Sequence, residues 1–299
     1  MPLNHALHRI STNVRFLTGS LLLPEYAAAL AERLFLTPPR PKLPQSSFFD
    51  FLDAHSSYVE YRGRNLASWR WGPPEAPGVL LAHGWGGYAA QMHAFVPQLL
   101  RAGFRVIAYD QPAHGLSEGK LTGLPDFAGA LAAIAQHHGN VRHVVAHSLG
   151  GPAVSIALSR GLDLESAVLV SPPSDLVGYS RQFARWTWMP EALRRRMQAA
   201  IEERYGLRWF EIEVPRLAPR LKTPALVIHD HADSFVPWEQ GAALARAWPG
   251  ARLLTTEGLG HGRILENDVV LRAATDFIAG RSRISSLAAP ELPHPAPLY

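Results

Sequence analysis

Along the 299 residues, apolar positions gather into short continuous runs separated by longer stretches in which they recur every three or four residues. The runs are "GVLLAH" (78–83), "FRVIAYD" (104–110), "VRHVVAHS" (141–148), "ESAVLVSPP" (165–173), "PALVIHD" (224–230) and "ARLLTTEG" (251–258). Unbroken Val/Ile/Leu runs fit strands buried on both faces of a parallel sheet, where no side chain needs to face water. The helical periodicity between them places helices near 89–102, 124–138, 149–160, 238–248 and 266–279. Ahead of these, "YVEYRGRNLASWRW" alternates apolar and polar positions and predicts a leading hairpin. Strand alternating with helix predicts an α/β architecture with right-handed crossovers.

The alternation breaks once. Between "VLVSPP" and "PALVIHD" lies a stretch without a strand signal, rich in Trp, Phe, Met and Arg, which predicts two or three inserted helices. An insertion at the C-terminal edge of the strands covers the place where open α/β sheets bind ligands. Near the N-terminus an amphipathic helix is expected around 24–36, ended by "LTPPRPKLPQ", which no helix can cross. The chain therefore divides into an N-terminal helix and linker (1–55), a core in two pieces (56–173 and 221–282), a helical insertion (174–220) and a Pro-rich tail (283–299).

Composition narrows the function classes. With 47% apolar and 18% charged residues the chain is of ordinary globular type. The net charge is only +4, and Arg194–Arg196 is the one tight basic run, which reads as a solvated helix face, so no nucleic-acid partner is expected. The absence of cysteine excludes disulfides and thiolate chemistry. No run of about 18 apolar residues occurs, and Pro24-Glu25 interrupts what would have to be a secretory apolar segment. A cytoplasmic monomer or homodimer without stable membrane insertion is the expectation.

The candidate chemistry sits at the ends of the strand runs. Ser148 in "VVAHSLGG" ends one run and opens a helix, with small residues at 146 and 150, the arrangement of a sharp strand-to-helix turn that exposes a serine hydroxyl. Taken alone, the same five residues equally describe a helix N-cap. A serine nucleophile needs a base and a group to orient that base. "HDHADSFVP" offers Asp233 (with Asp230 as the alternative acid) and "GLGHGR" offers His261, each following a strand run. Upstream, "AHGWGG" (82–87) lets the backbone turn so that the Trp85 N–H can join that of Leu149 as an oxyanion hole. "HDHAD" also resembles part of a binuclear metal motif, but Ser234 stands where its closing histidine belongs, so neither metal nor cofactor is expected. His114 is expected to pin a turn, His147 to point away from the base, and His137, His138 and His143 to be solvated or capping.

Together, "AHGWGG", "DQPAHGLS", "AHSLGG", "HDHADSFVPW" and "GLGHGRIL", in this order over roughly 57–280, resemble the α/β-hydrolase superfamily, and in particular bacterial esterase- and lipase-like members. The resemblance implies a mostly parallel eight-stranded sheet flanked by helices with a small helical cap. It further implies Ser148 as nucleophile, Asp233 as acid, His261 as base, and Trp85 and Leu149 as oxyanion donors. The expected reaction is cofactor-free cleavage of a small, hydrophobic carboxylic ester through an acyl-enzyme. Thioester hydrolysis, acyl transfer, perhydrolysis or a non-catalytic binding role are the alternatives. Within the insertion, Phe183, Trp186, Trp188 and Trp209 are the expected substrate-contacting residues. Two departures stand out: Ala146 where the family has glycine, and "DQPAHG" for its D-x-P-G-H-G.

Overall fold

The computed structural model describes Phe16, residues 22–40 and residues 53–281. The linker beyond residue 40 and the expected tail at 283–299 lie outside the described residues. A hairpin, β1 (His55–Tyr61) and β2 (Arg64–Trp71), turns at Arg62 and Gly63, both with positive φ (52° and 70°), the backbone that two-residue hairpins require. β2 runs antiparallel to β4 (Arg105–Tyr109); β3 (Gly78–Ala82), β4, β5 (Val141–His147), β6 (Ser166–Val170), β7 (Ala225–Asp230) and β8 (Arg252–Thr256) are mutually parallel. The order is β1-β2-β4-β3-β5-β6-β7-β8, so the sheet is the mostly parallel, eight-stranded one expected.

Side chains of each central strand divide by parity between two cores. Leu80, Ala82, Ile107 and Tyr109 face one layer, and Val79, Leu81, Val106 and Ala108 the other. Crossover helices cover both faces: α3 (Leu124–His138), α4 (Gly150–Ser159), α8 (Trp238–Ala247) and α10 (Asp268–Ile278), close to their expected bounds. The helix expected over 89–102 is instead a 3-10 turn (Ala89–Met92) followed by α2 (Phe95–Arg101). Pro97 explains the break, because its ring would collide with the carbonyl of His93 in a continuous helix.

Between β6 and β7 stand α5 (Leu176–Trp186), α6 (Glu191–Tyr205), a 3-10 turn at Trp209–Glu211 and the short α7 (Val214–Leu217). The N-terminal helix α1 (Pro24–Phe35) starts with Pro24 in its first turn and packs along α6, tied to it by the Glu25–Arg196 and Glu32–Arg204 ion pairs. After α1, the Leu36 carbonyl accepts from Thr122 N–H at 2.9 Å, and the Arg40 guanidinium donates to the carbonyls of Ala113, Ser117 and Gly119. The segment 24–40 is thereby fastened to both the inserted helices and the core.

The strand order also places the site. From β3 the chain moves to β4 on one side and then across to β5 on the other, and a crevice opens outside the C-terminal ends of these strands where the direction reverses. The loop after β3 begins at His83-Gly84-Trp85, and β5 runs into Ser148.

Candidate active site

Ser148 holds a left-handed backbone, φ 51°. Its N–H still donates to Val170 O (2.9 Å), continuing the sheet, while its own carbonyl accepts from Gly151 N (2.9 Å), starting α4. One residue thus makes the whole turn from strand to helix. Glycine is needed around it for space: a Cβ on Gly150 would lie 2.6 Å from Ala82 O, and one on Gly84 2.7 Å from the Ser148 Cβ. At 146, by contrast, the position lies within β5 between Ala82 and Leu169, and the buried alanine methyl coexists with the turned serine. The departure from glycine leaves the elbow intact.

The loops after β7 and β8 bring the other two residues together. His261 Nδ1 lies 2.7 Å from Asp233 Oδ2. Asp233 Oδ1 accepts from the N–H groups of Phe235 and Val236, both at 2.9 Å, and the carboxylate is fully shielded from solvent. Burial alone would raise its pKa, but the hydrogen bonds from His229, His261 and Val236 N–H outweigh this and hold it far below the usual carboxylate range. The alternative acid, Asp230, is occupied otherwise. Its two oxygens accept from Thr256 Oγ1 and from the N–H groups of Ala232, Leu259 and Gly260, clamping the loop that carries His261. Within "HDHAD", His229 Nε2 meets Val236 O at 2.9 Å and Asp233 at 3.5 Å, Asp233 meets His261, and His231 turns away to Glu257.

Trp85 N–H and Leu149 N–H, the expected oxyanion donors, have no backbone or side-chain acceptor among the described residues. Leu149 lies at the N-terminus of α4, where the helix dipole adds positive potential. The Trp85 turn is braced by two buried histidines. His114 Nε2 accepts from Gly86 N–H (2.9 Å) with Nδ1 at 3.0 Å from Pro112 O, and His83 bridges Gly84 O and Gln111 N–H. Burial pushes His114 down to about 4 and His83 well below the usual histidine value, so both stay neutral and His114 Nε2 remains an acceptor. His114 does pin a turn, but the turn it pins is the one carrying a candidate oxyanion donor.

His147 departs from its expected place. Rather than pointing away from the base, its Nε2 sits 2.9 Å from the His261 carbonyl and its ring 4.6 Å from the His261 ring, because the β8 loop folds back over the end of β5. Burial, with the neighbouring His261, lowers it to about 3. His229, marked in the sequence only as part of the metal-like run, stands behind Asp233 at 3.5 Å.

Trp85 lines two cavities. One is an open cleft of about 550 Å³ lined by Ser148 and His261 and rimmed by Gln91, His93, Arg263 and Glu266. The other is a slot of about 60 Å³ walled by Phe35, Leu36, Trp85, Leu149, Leu176 and Trp209 among others, almost wholly apolar. Of the expected substrate-contacting residues, Trp209 lines the slot, and Phe183 packs edge-on against Phe35 (5.1 Å between ring centroids). Trp186 and Trp188 do not take the expected role: they are 49% and 62% exposed and line neither cavity, lying at the end of α5 and in the left-handed turn after it. Phe35 and Leu36, by contrast, come from a helix that sequence patterning marked only as packing on the domain.

Similarity to known proteins agrees with this fold. The profile of the "alpha/beta hydrolase family" matches residues 79–274. The bifunctional esterase/perhydrolase of Acinetobacter calcoaceticus is 24% identical over 64% of the chain and 87% of its own length. The RutD protein of Variovorax paradoxus, named for carbamate hydrolysis, is 30% identical over 73% of the chain and 97% of its own length. Among solved structures, the Pyrococcus furiosus esterase Pf2001 superposes with a TM-score of 0.61 at 21% identity, covering 82% of this chain and 98% of that one. With the fold, the turned serine and the profile match all in place, the chain belongs to the alpha/beta hydrolase family.

Proposed function

We propose that this hydrolase cleaves carboxylic esters through an acyl-enzyme formed on Ser148. The observation that carries the reading is the joint placement of Ser148, in a left-handed turn, and His261, held by a buried Asp233, on one cleft. His261 Nε2 takes the Ser148 proton as Oγ attacks the ester carbonyl carbon, and the Trp85 and Leu149 N–H groups bind the oxyanion that forms. The intermediate collapses as the imidazolium returns the proton to the departing alcohol oxygen. Water, deprotonated by the same imidazole, then attacks the acyl-enzyme, and the carboxylic acid leaves as Ser148 regains its proton. Asp233 stays ionised throughout and stabilises the imidazolium.

The names of the relatives, esterase/perhydrolase and carbamate hydrolase, both describe attack at a carbonyl carbon, which supports the acyl-transfer reading and places carbamates beside esters as substrates to try. The test is labelling with a fluorophosphonate probe together with turnover of p-nitrophenyl butyrate. Wild type is expected to be labelled at Ser148 and to hydrolyse the ester, and Ser148→Ala to do neither. Full hydrolysis by Ser148→Ala would overturn the reading, and a wild type neither labelled nor active would point to a binding role.

A further inference from the structure

The cleft and the slot are unlike, and among the described residues Trp85 is the one lining residue that they share. His261 lines the open, polar-rimmed cleft and not the slot. On the esterase reading above, the departing alcohol oxygen must lie beside His261 to receive its proton, so the alcohol occupies the cleft. The carbonyl oxygen sits against the N–H groups of Trp85 and Leu149. The side chains of those same two residues wall the slot. Ser148 lines the cleft and its chain neighbour Leu149 the slot, so an acyl substituent turned away from the alcohol is taken toward the slot.

The size of the slot then limits the acyl group. At about 60 Å³ it is far smaller than the roughly 150 Å³ cavity that accommodates a benzene ring. The cleft, at about 550 Å³ and edged by Gln91, His93, Arg263 and Glu266, suits a larger polar group. Part of the slot wall comes from outside the region that matches the family profile: Phe35 and Leu36 belong to α1 and the residue after it, whereas the match begins at residue 79. Phe35 is wedged among Tyr179, Phe183 and Trp209 at centroid distances of 5.8, 5.1 and 5.8 Å, and Leu36 is held to the core through Thr122. This wall is fixed by both the inserted helices and the core.

We propose that the slot is the acyl subsite, taking apolar acyl groups of up to about four carbons esterified to a bulkier polar alcohol, and that Phe35 sets the length limit. Phe35 is thus a specificity-determining residue contributed by the N-terminal helix. The proposal rests on Ser148 acting as the esterase nucleophile.

The experiment is a kcat/KM profile of the full chain over p-nitrophenyl acetate, butyrate, hexanoate and octanoate, with wild type, Phe35→Ala and the milder Phe35→Leu, each checked by thermal melting. Wild type is expected to favour butyrate over octanoate by at least about tenfold. Phe35→Ala is expected to raise the octanoate-to-butyrate ratio by about tenfold, the gain from burying two further methylenes, with Phe35→Leu moving it less in the same direction. If Phe35→Ala does not fold, Phe35→Leu decides alone. Glyceryl butyrate is expected to be cleaved faster than hexyl butyrate. A flat wild-type profile, an unchanged ratio in a folded Phe35 variant, or preference for the hexyl ester overturns the subsite assignment while Ser148 is still labelled by the fluorophosphonate. Loss of both labelling and hydrolysis in wild type overturns the esterase reading and the subsite with it.

Discussion

Asp233→Asn isolates the role of the acid. The substitution leaves an oxygen able to accept from Phe235 and Val236 N–H, both now at 2.9 Å, so the loop keeps two of its anchors. At the position of Oδ2 it sets an NH2 facing His261 Nδ1, 2.7 Å away, and His229 Nε2, 3.5 Å away. Two donors then oppose one another. His261 can relieve the clash by moving its proton to Nε2, after which that nitrogen can no longer accept the Ser148 proton. Losing the correct tautomer in a triad of this kind costs on the order of 10⁴ in kcat, or about 5.5 kcal/mol of transition-state stabilisation. The folded state loses about 1.5–3 kcal/mol, the range for one hydrogen bond to a charged group. Asp233→Ala loses more, because Phe235 and Val236 N–H are then also stranded. The assay is kcat/KM on p-nitrophenyl butyrate, normalised by fluorophosphonate titration, alongside urea unfolding. If Asp233→Asn kept activity within tenfold of wild type while Asp230→Asn lost it, the acid would be Asp230 and the clamp-versus-triad division drawn here would be wrong.

Three further outcomes are expected. Gly150→Ala places a Cβ 2.6 Å from the carbonyl of Ala82 in a central strand, so it should destabilise by about 1–3 kcal/mol and displace the oxyanion turn, read as loss of both Tm and activity. Ala146→Gly should change kcat/KM less than tenfold and lower stability by about 0.5–1 kcal/mol, because the site already accommodates the methyl; a large gain in activity would show that the methyl deforms the elbow. Stability should also fall with pH. His83, His114 and His147 are buried with pKa values lowered below the unfolded value near 6.5, His114 to about 4 and His147 to about 3. A lowered folded pKa means that stability is complete above pH 6.5 and is lost as pH falls toward 4, where the unfolded chain binds protons that the folded chain refuses. Each such histidine contributes up to about 1.4 kcal/mol per pH unit in that window, and His114→Leu should reduce the slope in urea titrations from pH 6.5 to 4.5.

The parts legible in the sequence were those governed by local chemistry. Strands such as Val141–His147 and Ala225–Asp230 announced themselves because burial on both faces demands unbroken apolar runs, and each candidate triad residue followed such a run. Asp233 and His261 were named from order along the chain, and the structure brings them within 2.7 Å. What patterning did not convey was direction. An aromatic-rich insertion gives no indication of which helix face turns inward: Trp186 and Trp188 lie exposed and off both cavities, whereas Phe35 and Leu36, more than a hundred residues earlier in the chain, line the slot. Likewise the contact of His147 with His261 depends on the fold of the β8 loop, a long-range event that no local spacing encodes.

The conformation of Ser148 has an evolutionary corollary. A residue bearing a Cβ at φ 51° is held at a cost of about 1 kcal/mol or more, and glycine in its place would release up to about that much. Alanine would not, since it keeps the Cβ. Comparing Ser148→Gly with Ser148→Ala, both without the hydroxyl, would therefore weigh the strain apart from the chemistry. It also means that a population of variants sorted for heat resistance alone would be drawn toward glycine at the residue proposed as the nucleophile. A screen for robustness in this protein has to carry an activity filter from its first round.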